Sequence, residues 1–351
     1  MNKKLFLLVF IFLVLSGRIV IRAEDNLIPI RLAYPAVGTL INGQIGQILE
    51  RTNILAKNGL EGKVVPFQYG PPMMEALLSG KIDAAFTSEQ NVVVLLGRGF
   101  PARVVASFGS AGRAGLLVPI DSDIRSLEDL KGKKVTTIFG SSIHRPILAW
   151  LEEAKLIPGK DVKLINMSGG DSRAALVDGS VDAVMSWDPY IEDLIQKKKA
   201  RVIKAQPLNL AVIISEDFIQ KNPEGALNFL IALKESCLYM ALNKDLVNNW
   251  YSQLSRLELK LIDKCSRFNQ NYSKAKTLSD IDINMDENFI KILENIADFL
   301  FKQKLIDKKI NIQDGIDTEL VKEAEKKLSG IKYDSSTVEI TKPDKKRSFS
   351  W

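Results

Sequence analysis

Gly140-Ser141-Ser142-Ile143-His144 places two hydroxyls and the chain's only imidazole at the start of a helical pattern. Two chemistries could use that set. A Ser–His nucleophile needs the ring to reach a serine on the same turn, and a third group to orient it. A helix start instead offers free backbone N–H groups and hydroxyls to an anion, and this is the reading the motif favours. The segment is not a phosphate loop, because the lysine and glycine spacing of that motif are missing. Two further helix starts carry comparable chemistry. Gly70-Pro71-Pro72 fixes the backbone before its helix, and Gly169-Gly170-Asp171 does so with Asp171 available as a cap. Trp187 and Asp188, before Pro189-Tyr190, follow a strand, where open α/β sheets present ligand contacts. Arg113, between Gly112 and Ala114, could neutralise an anion.

These motifs sit inside a duplication. Residues 70–89 align without a gap on 169–188, with Gly70/Gly169, Ala76/Ala175, Leu77/Leu176, Gly80/Gly179, Asp83/Asp182 and Ala84/Ala183 identical. The interval from Asp83 to Asp182, 99 residues, is too long for a solenoid repeat and points to two similar α/β lobes around a cleft. The two aspartates could be read as an acid–base pair. At a helix-to-strand turn they read instead as acceptors for local backbone N–H groups. The copies differ at Pro71-Pro72 against Gly170-Asp171 and at Ser88 against Trp187, the cleft-facing ends.

The elements that must hold these residues alternate. Strand-length apolar runs fall at 28–33, 63–67, 82–86, 103–107, 115–118, 134–137, 162–166, 181–185, 201–204 and 210–214. Helical patterns lie between many of them, so the pattern is that of an open α/β sheet. After Ile214 only helical patterns follow, beginning at Asn222-Pro223 and again at 287–303. No linker separates two sequential domains. The chain is expected to cross between lobes more than once, at 110–114 and 204–209.

The 46% hydrophobic and 26% charged composition is that of a folded domain. Its net charge of +6 comes largely from Lys3, Lys4, Arg18 and Arg22, and without them 44 basic residues face 42 acidic ones. That balance argues against nucleic-acid binding. Residues 1–23 read as a cleavable secretory signal, with Lys3-Lys4 ahead of an apolar run from Leu5 to Leu15 and a small residue, Ala23, before Glu24. The run is too short for a spanning helix, and no Cys follows for a lipid anchor. Cys237 and Cys265, the only cysteines, could pair in an exported protein but read as two free, partly buried thiols. With one His they are too few for structural zinc. No cofactor, metal or catalytic set is indicated. The polar, lysine-rich residues 332–351 read as a poorly ordered tail.

Taken together, Gly70-Pro-Pro with Glu75-Ala-Leu and Gly80-x-Ile-Asp-Ala84, Ser126 to Val135, Gly140 to His144, Gly169 to Arg173, Gly179 to Ala183 and Trp187 to Tyr190 carry a resemblance. The chain resembles the solute-binding proteins of ABC importers in the aliphatic sulfonate, taurine and nitrate group. The thiamine-pyrimidine synthase-like proteins belong to the same superfamily. The resemblance covers about residues 28–220. It implies a type II periplasmic-binding fold, two α/β lobes around a cleft with extra C-terminal helices. Lobe 1 would be residues 24–112 with 209–331 returning to it, and lobe 2 residues 113–208. It maps ligand loops onto Gly38-Thr39, Gly70-Pro71-Pro72, Thr87-Ser88-Glu89, Ser141-Ser142 with His144, and Trp187-Asp188. It implies a periplasmic, monomeric, non-enzymatic carrier of a small anionic solute, with an inner-membrane permease as partner. The chain departs from the group at Thr87–Asn91, which lacks the small residue and prolines often found there.

Alternative readings are a thiamine-pyrimidine synthase-like enzyme or pyrimidine-precursor binder, whose cysteine-rich stretch is missing here, a Ser–His hydrolase, and a sensor or chaperone lobe.

Overall fold

A computed structural model describes residues 27–36, 39–267, 269, 272 and 274–342. The expected signal segment 1–23, Gly38 and residues 343–351 lie outside these.

The strands are β1 (Ile28–Pro35), β2 (Leu60–Phe67), β3 (Ala84–Ser88), β4 (Ala102–Pro119), β5 (Lys134–Thr137), β6 (Lys163–Asn166), β7 (Ala183–Trp187) and β8 (Ala200–Ser215). The helices are α1 (Leu40–Arg51), α2 (Ile54–Lys57), α3 (Gly70–Leu78), α4 (Glu89–Gly97), α5 (His144–Glu153), α6 (Gly169–Asp178), α7 (Tyr190–Gln196) and α8 (Glu216–Lys221). The C-terminal helices are α9 (Pro223–Leu242), α10 (Lys244–Ser255), α11 (Leu259–Ser266), α12 (Glu287–Lys302) and α13 (Glu319–Leu328). One sheet runs β2-β1-β3-β8-β4-β7-β5-β6.

Its two middle strands are far longer than the sequence pattern indicates. The runs expected at 103–107 and 115–118 are the ends of one 18-residue strand, β4. Those at 201–204 and 210–214 are the ends of 16-residue β8. Polar and glycine residues between the apolar runs hid the continuity. The segments 110–114 and 204–209, read from sequence as crossings, are the paired middles of β4 and β8. Register shifts between Ser107/Gly109 and Ser110/Arg113 bend this ribbon. One end of it pairs with β3 and the other with β7.

Each lobe is one half of this sheet with helices on both faces. Along β8, Leu210, Val212 and Ile214 enter the core under α1 and α9, while Ala211 and Ile213 enter the core under α3, α4 and α12. The period of two is what a strand buried on both faces requires. In the other lobe α5 packs on Leu116, Val135 and Met185, and α6 and α7 pack on Leu117 and Val184. By composition α9 is long and apolar enough to cross a membrane, but 83% of its most apolar window is buried in the first lobe's core.

The duplicated segments fold alike. Each helix ends on a left-handed glycine, Gly80 (φ 66°) and Gly179 (φ 81°). The following aspartates are structural, but their partners are not local. Asp83 accepts from the backbone N–H of Arg31 on β1 (2.8 Å), and Asp182 from that of Lys134 on β5 (2.7 Å). In return Asp83 N–H donates to Arg31 O (2.9 Å) and Asp182 N–H to Lys134 O (3.0 Å). Each aspartate thus fixes the entry register of a parallel strand pair. Asp83→Ala and Asp182→Ala are each expected to cost about 1 kcal/mol in urea unfolding, additively, with solute affinity unchanged.

Residues 332–342 of the expected tail are pinned across the end of α1. Asn53 N–H donates to Glu339 O (3.0 Å) and Thr341 N–H to Arg51 O (2.7 Å). Cys237 and Cys265 are free and buried.

Candidate functional site

Four helix starts meet where the lobes face each other. Thr39, Tyr69 and Ser88 precede α1, α3 and α4, and the Ser141–Ile143 turn precedes α5. At none of these starts does the N-cap side chain close on the helix. The first N–H groups of a helix have no partner within it; the His144 N–H at α5 is taken by Ser141 O (3.0 Å) and the Glu89 N–H at α4 by its own carboxylate, so the starts left uncapped beside one space are those of α1 and α3. That space is a small pocket lined by Pro35, Thr39, Asn42, Tyr69, Gly70, Thr87, Ser88, Asn91, Ser141, Ser142 and Trp187. None of these lining residues is charged.

Its most telling property is a set of unpaired polar atoms. Thr39 Oγ1, both amide atoms of Asn42, Ser88 Oγ, Asn91 Oδ1 and Trp187 Nε1 are buried and have no hydrogen-bond partner in the protein. Buried polar groups are normally paired, and each orphan costs roughly 1–3 kcal/mol. Six such atoms, contributed by both lobes, surround one pocket.

The C-terminal helices back this wall without lining it. They cover α1 so fully that Asn42, Gln44 and Gln47 are all buried on it. Gln44 is bonded to Asn248 of α10 (2.5 Å) and Gln47 to Tyr34 (3.0 Å), whereas Asn42 is left facing the pocket. Gly43 lets the helix seat there, since a Cβ on it would lie 2.2 Å from the Tyr251 ring and 2.6 Å from Ala36 O. The amides on an otherwise apolar pattern were the signal for Asn42.

Of the residues singled out from sequence, Thr39, Gly70, Thr87, Ser88, Ser141, Ser142 and Trp187 line the pocket. Pro71 lies at its rim, with its Cγ 3.7 Å from where a Cβ on Gly140 would stand across the cleft, and Pro72 is exposed on α3. Arg113 and Asp188 are spent on each other. Arg113 donates from its backbone N–H (3.1 Å), Nε (2.8 Å) and Nη2 (3.0 Å) to the Asp188 carboxylate. Its Nη2 also reaches Glu192 (3.5 Å), which in turn holds Lys264 of α11. Asp171 is exposed and is not the cap of α6. Ser168 is, accepting from Asp171 N–H (3.3 Å) and donating to its carboxylate (2.8 Å).

The His144 ring has no serine partner among the described residues, although the backbone N–H of His144 donates to Ser141 O (3.0 Å). Its Nδ1 accepts from Gly140 N–H (3.3 Å), and its ring stacks on Phe139 at 4.8 Å. Burial pulls its pKa down to about 4, so the ring is neutral near pH 7. Ser141 Oγ donates to Ile138 O (2.7 Å), and Ser141 O accepts from Gln90 Nε2 of the other lobe (2.6 Å). The geometry required of a Ser–His nucleophile is absent among the described residues.

Glu89 is buried just behind the lining. Desolvation raises its pKa to about 7, against the opposing pull of the Arg145 cation and of the N–H groups of Glu89 and Asn209. Burial lowers the Arg145 pKa, and Glu89 opposes that. Asn42, Asn91, Tyr69, Gln90 and Arg145 were not singled out from sequence.

Among relatives, the aliphatic sulfonates-binding protein of Bacillus subtilis (strain 168) is 27% identical over 274 residues, 76% of this chain and 80% of that protein. The corresponding protein of Escherichia coli (strain K12) is 32% identical over 188 residues, 52% of this chain and 57% of its own. Among solved structures, the alkanesulfonate-binding protein SsuA from Xanthomonas axonopodis pv. citri, bound to MOPS, superposes with a TM-score of 0.68 at 20% identity, covering 83% of this chain and 98% of that one. That likeness establishes the fold, the type II periplasmic-binding fold. The family model described as NMT1/THI5 like matches residues 55–245, more than half of the sequence, and the chain belongs to this family.

Proposed function

We propose that this protein is the solute-binding component of an ABC importer. It captures a small sulfonate-like anion between its lobes and hands it to a permease in the membrane. It performs no chemistry on the solute. On this reading residues 1–23 direct export and are removed, and the mature chain works as a periplasmic monomer. Residues 24–112 with 209–331 close against 113–208 by bending of the β4–β8 ribbon. The observation that carries the proposal is the ring of unpaired buried N–H, O–H and amide groups around an uncharged pocket. Such dipoles stabilise an anion that carries its charge at every pH of interest. The sulfonate-binding relatives make that anion class the first to test.

The test is a thermal-shift and calorimetric series with ethanesulfonate, taurine, nitrate, acetate and a pyrimidine. At 100 times its Kd a true ligand stabilises by about 2.7 kcal/mol, a rise of several degrees in Tm. A sulfonate is expected to give that rise. Folded protein that responds to none of the anions sinks the proposal, and a response to the pyrimidine alone transfers it to the enzyme-related branch of the superfamily.

A further inference from the structure

Two ionisable side chains outside the pocket lining face each other across the cleft. Glu89 opens α4 in one lobe, and Arg145 lies in the first turn of α5 in the other. The neighbouring bond from Gln90 Nε2 to Ser141 O (2.6 Å) shows that these two helix starts are in contact. Glu89 is 2% exposed, and its Oε2 has no partner. Arg145 Nε is also buried and unpaired. The Glu89 carboxyl is therefore out of water and Arg145 is half-buried, with no ion pair joining these atoms. From β8 only the backbone N–H of Asn209 reaches Glu89, and no other charge among the described residues acts on it. His144, beside Arg145 on α5, is neutral near pH 7.

We infer that Glu89 makes closure of the cleft proton-linked: the lobes close on the protonated carboxyl and open more readily on the carboxylate. Burying a carboxylate with one oxygen left unpartnered costs more than burying the neutral carboxyl. Opening returns Glu89 to water, where it ionises like an ordinary glutamate. The raised pKa of the closed form, about 7, agrees in direction. An anionic solute in the adjacent pocket repels the carboxylate and strengthens the linkage. The sign follows. Between the ordinary glutamate pKa and about 7 the closed form binds more protons than the open one, so closure weakens as pH rises.

The inference rests on the solute-capture reading, so its test has one arm with a ligand and one without. Calorimetry with ethanesulfonate at pH 6.5, in two buffers of different ionisation enthalpy, is expected to register proton uptake on binding. Affinity is expected to fall about tenfold or more from pH 5.5 to 8. Glu89→Gln, which resembles the protonated form, is expected to abolish the uptake and flatten the pH profile. Without ligand, fluorescence of Trp187 and small-angle scattering should report opening along the same pH range, lost in Glu89→Gln. If no sulfonate binds at any pH, the solute reading fails while the ligand-free arm still decides the linkage. A wild type with no pH response in either arm, or a response that Glu89→Gln retains, overturns it.

Discussion

Asn42→Leu is expected to weaken solute binding by about a hundredfold or more while raising the melting temperature of the empty protein. The opposed signs follow from the state of this side chain. Asn42 is fully buried, and neither its Oδ1 nor its Nδ2 has a partner. In the empty protein the amide is a cost of roughly 1–3 kcal/mol, which a leucine of similar volume removes. In the complex the same amide bonds the ligand, and losing two such bonds in a dry pocket accounts for about 3 kcal/mol of affinity. A scaffold residue would behave otherwise, losing stability and affinity together. Differential scanning fluorimetry with and without ethanesulfonate separates the two cases. A variant that is destabilised when empty, or that binds as well as the wild type, contradicts the role assigned to Asn42.

Asp188→Ala is expected to destabilise the protein by about 3 kcal/mol, the largest loss for a residue near the pocket that does not touch its contents. The Asp188 side chain is 2% exposed and takes three hydrogen bonds from Arg113. Removing one partner of such a buried pair costs about 3–5 kcal/mol, and here the Glu192 carboxylate at 3.5 Å still faces Arg113. The 31% exposure of Arg113 places the value at the lower end. Glu192 and Lys264 lengthen the network into α7 and α11, so the loss should loosen the ribbon, lobe and C-terminal helices at once. Arg113→Met with Asp188→Leu is expected to recover most of the stability, since an apolar pair of similar size fills the space without a stranded charge. Chemical denaturation of the two variants beside the wild type checks this. A double variant as unstable as Asp188→Ala would show that the charges themselves are required.

The duplication was readable because glycine at a left-handed helix end and aspartate at a strand entrance are demanded by backbone geometry. Such demands leave the same letters in both copies. The pocket-lining hydroxyls and Trp187 were readable for a related reason, because they follow strand ends or open helices. Asn42 was not, since its meaning depends on α10 and α11, two hundred residues away, covering the rest of α1. Arg113 and Asp188 misled in the other direction. Each has the type and place of a ligand contact, and only three-dimensional proximity shows that they satisfy one another. The lengths of β4 and β8 were hidden by glycines and polar residues that a ribbon between lobes tolerates and a core strand does not.

The same ribbon constrains when the protein can fold. Strand β3 has no permanent neighbour on one side until β8 is made, and Ala84 pairs with Ile214, 130 residues further on. The core on the other side of that strand then waits for α9 and the helices beyond it. Contacts so distant in sequence slow folding, because the closure entropy comes before the reward. A nascent chain holding only the first half cannot collapse prematurely into a finished lobe. On the export proposed above, that delay would keep the chain in a transportable state until its last third has been synthesised.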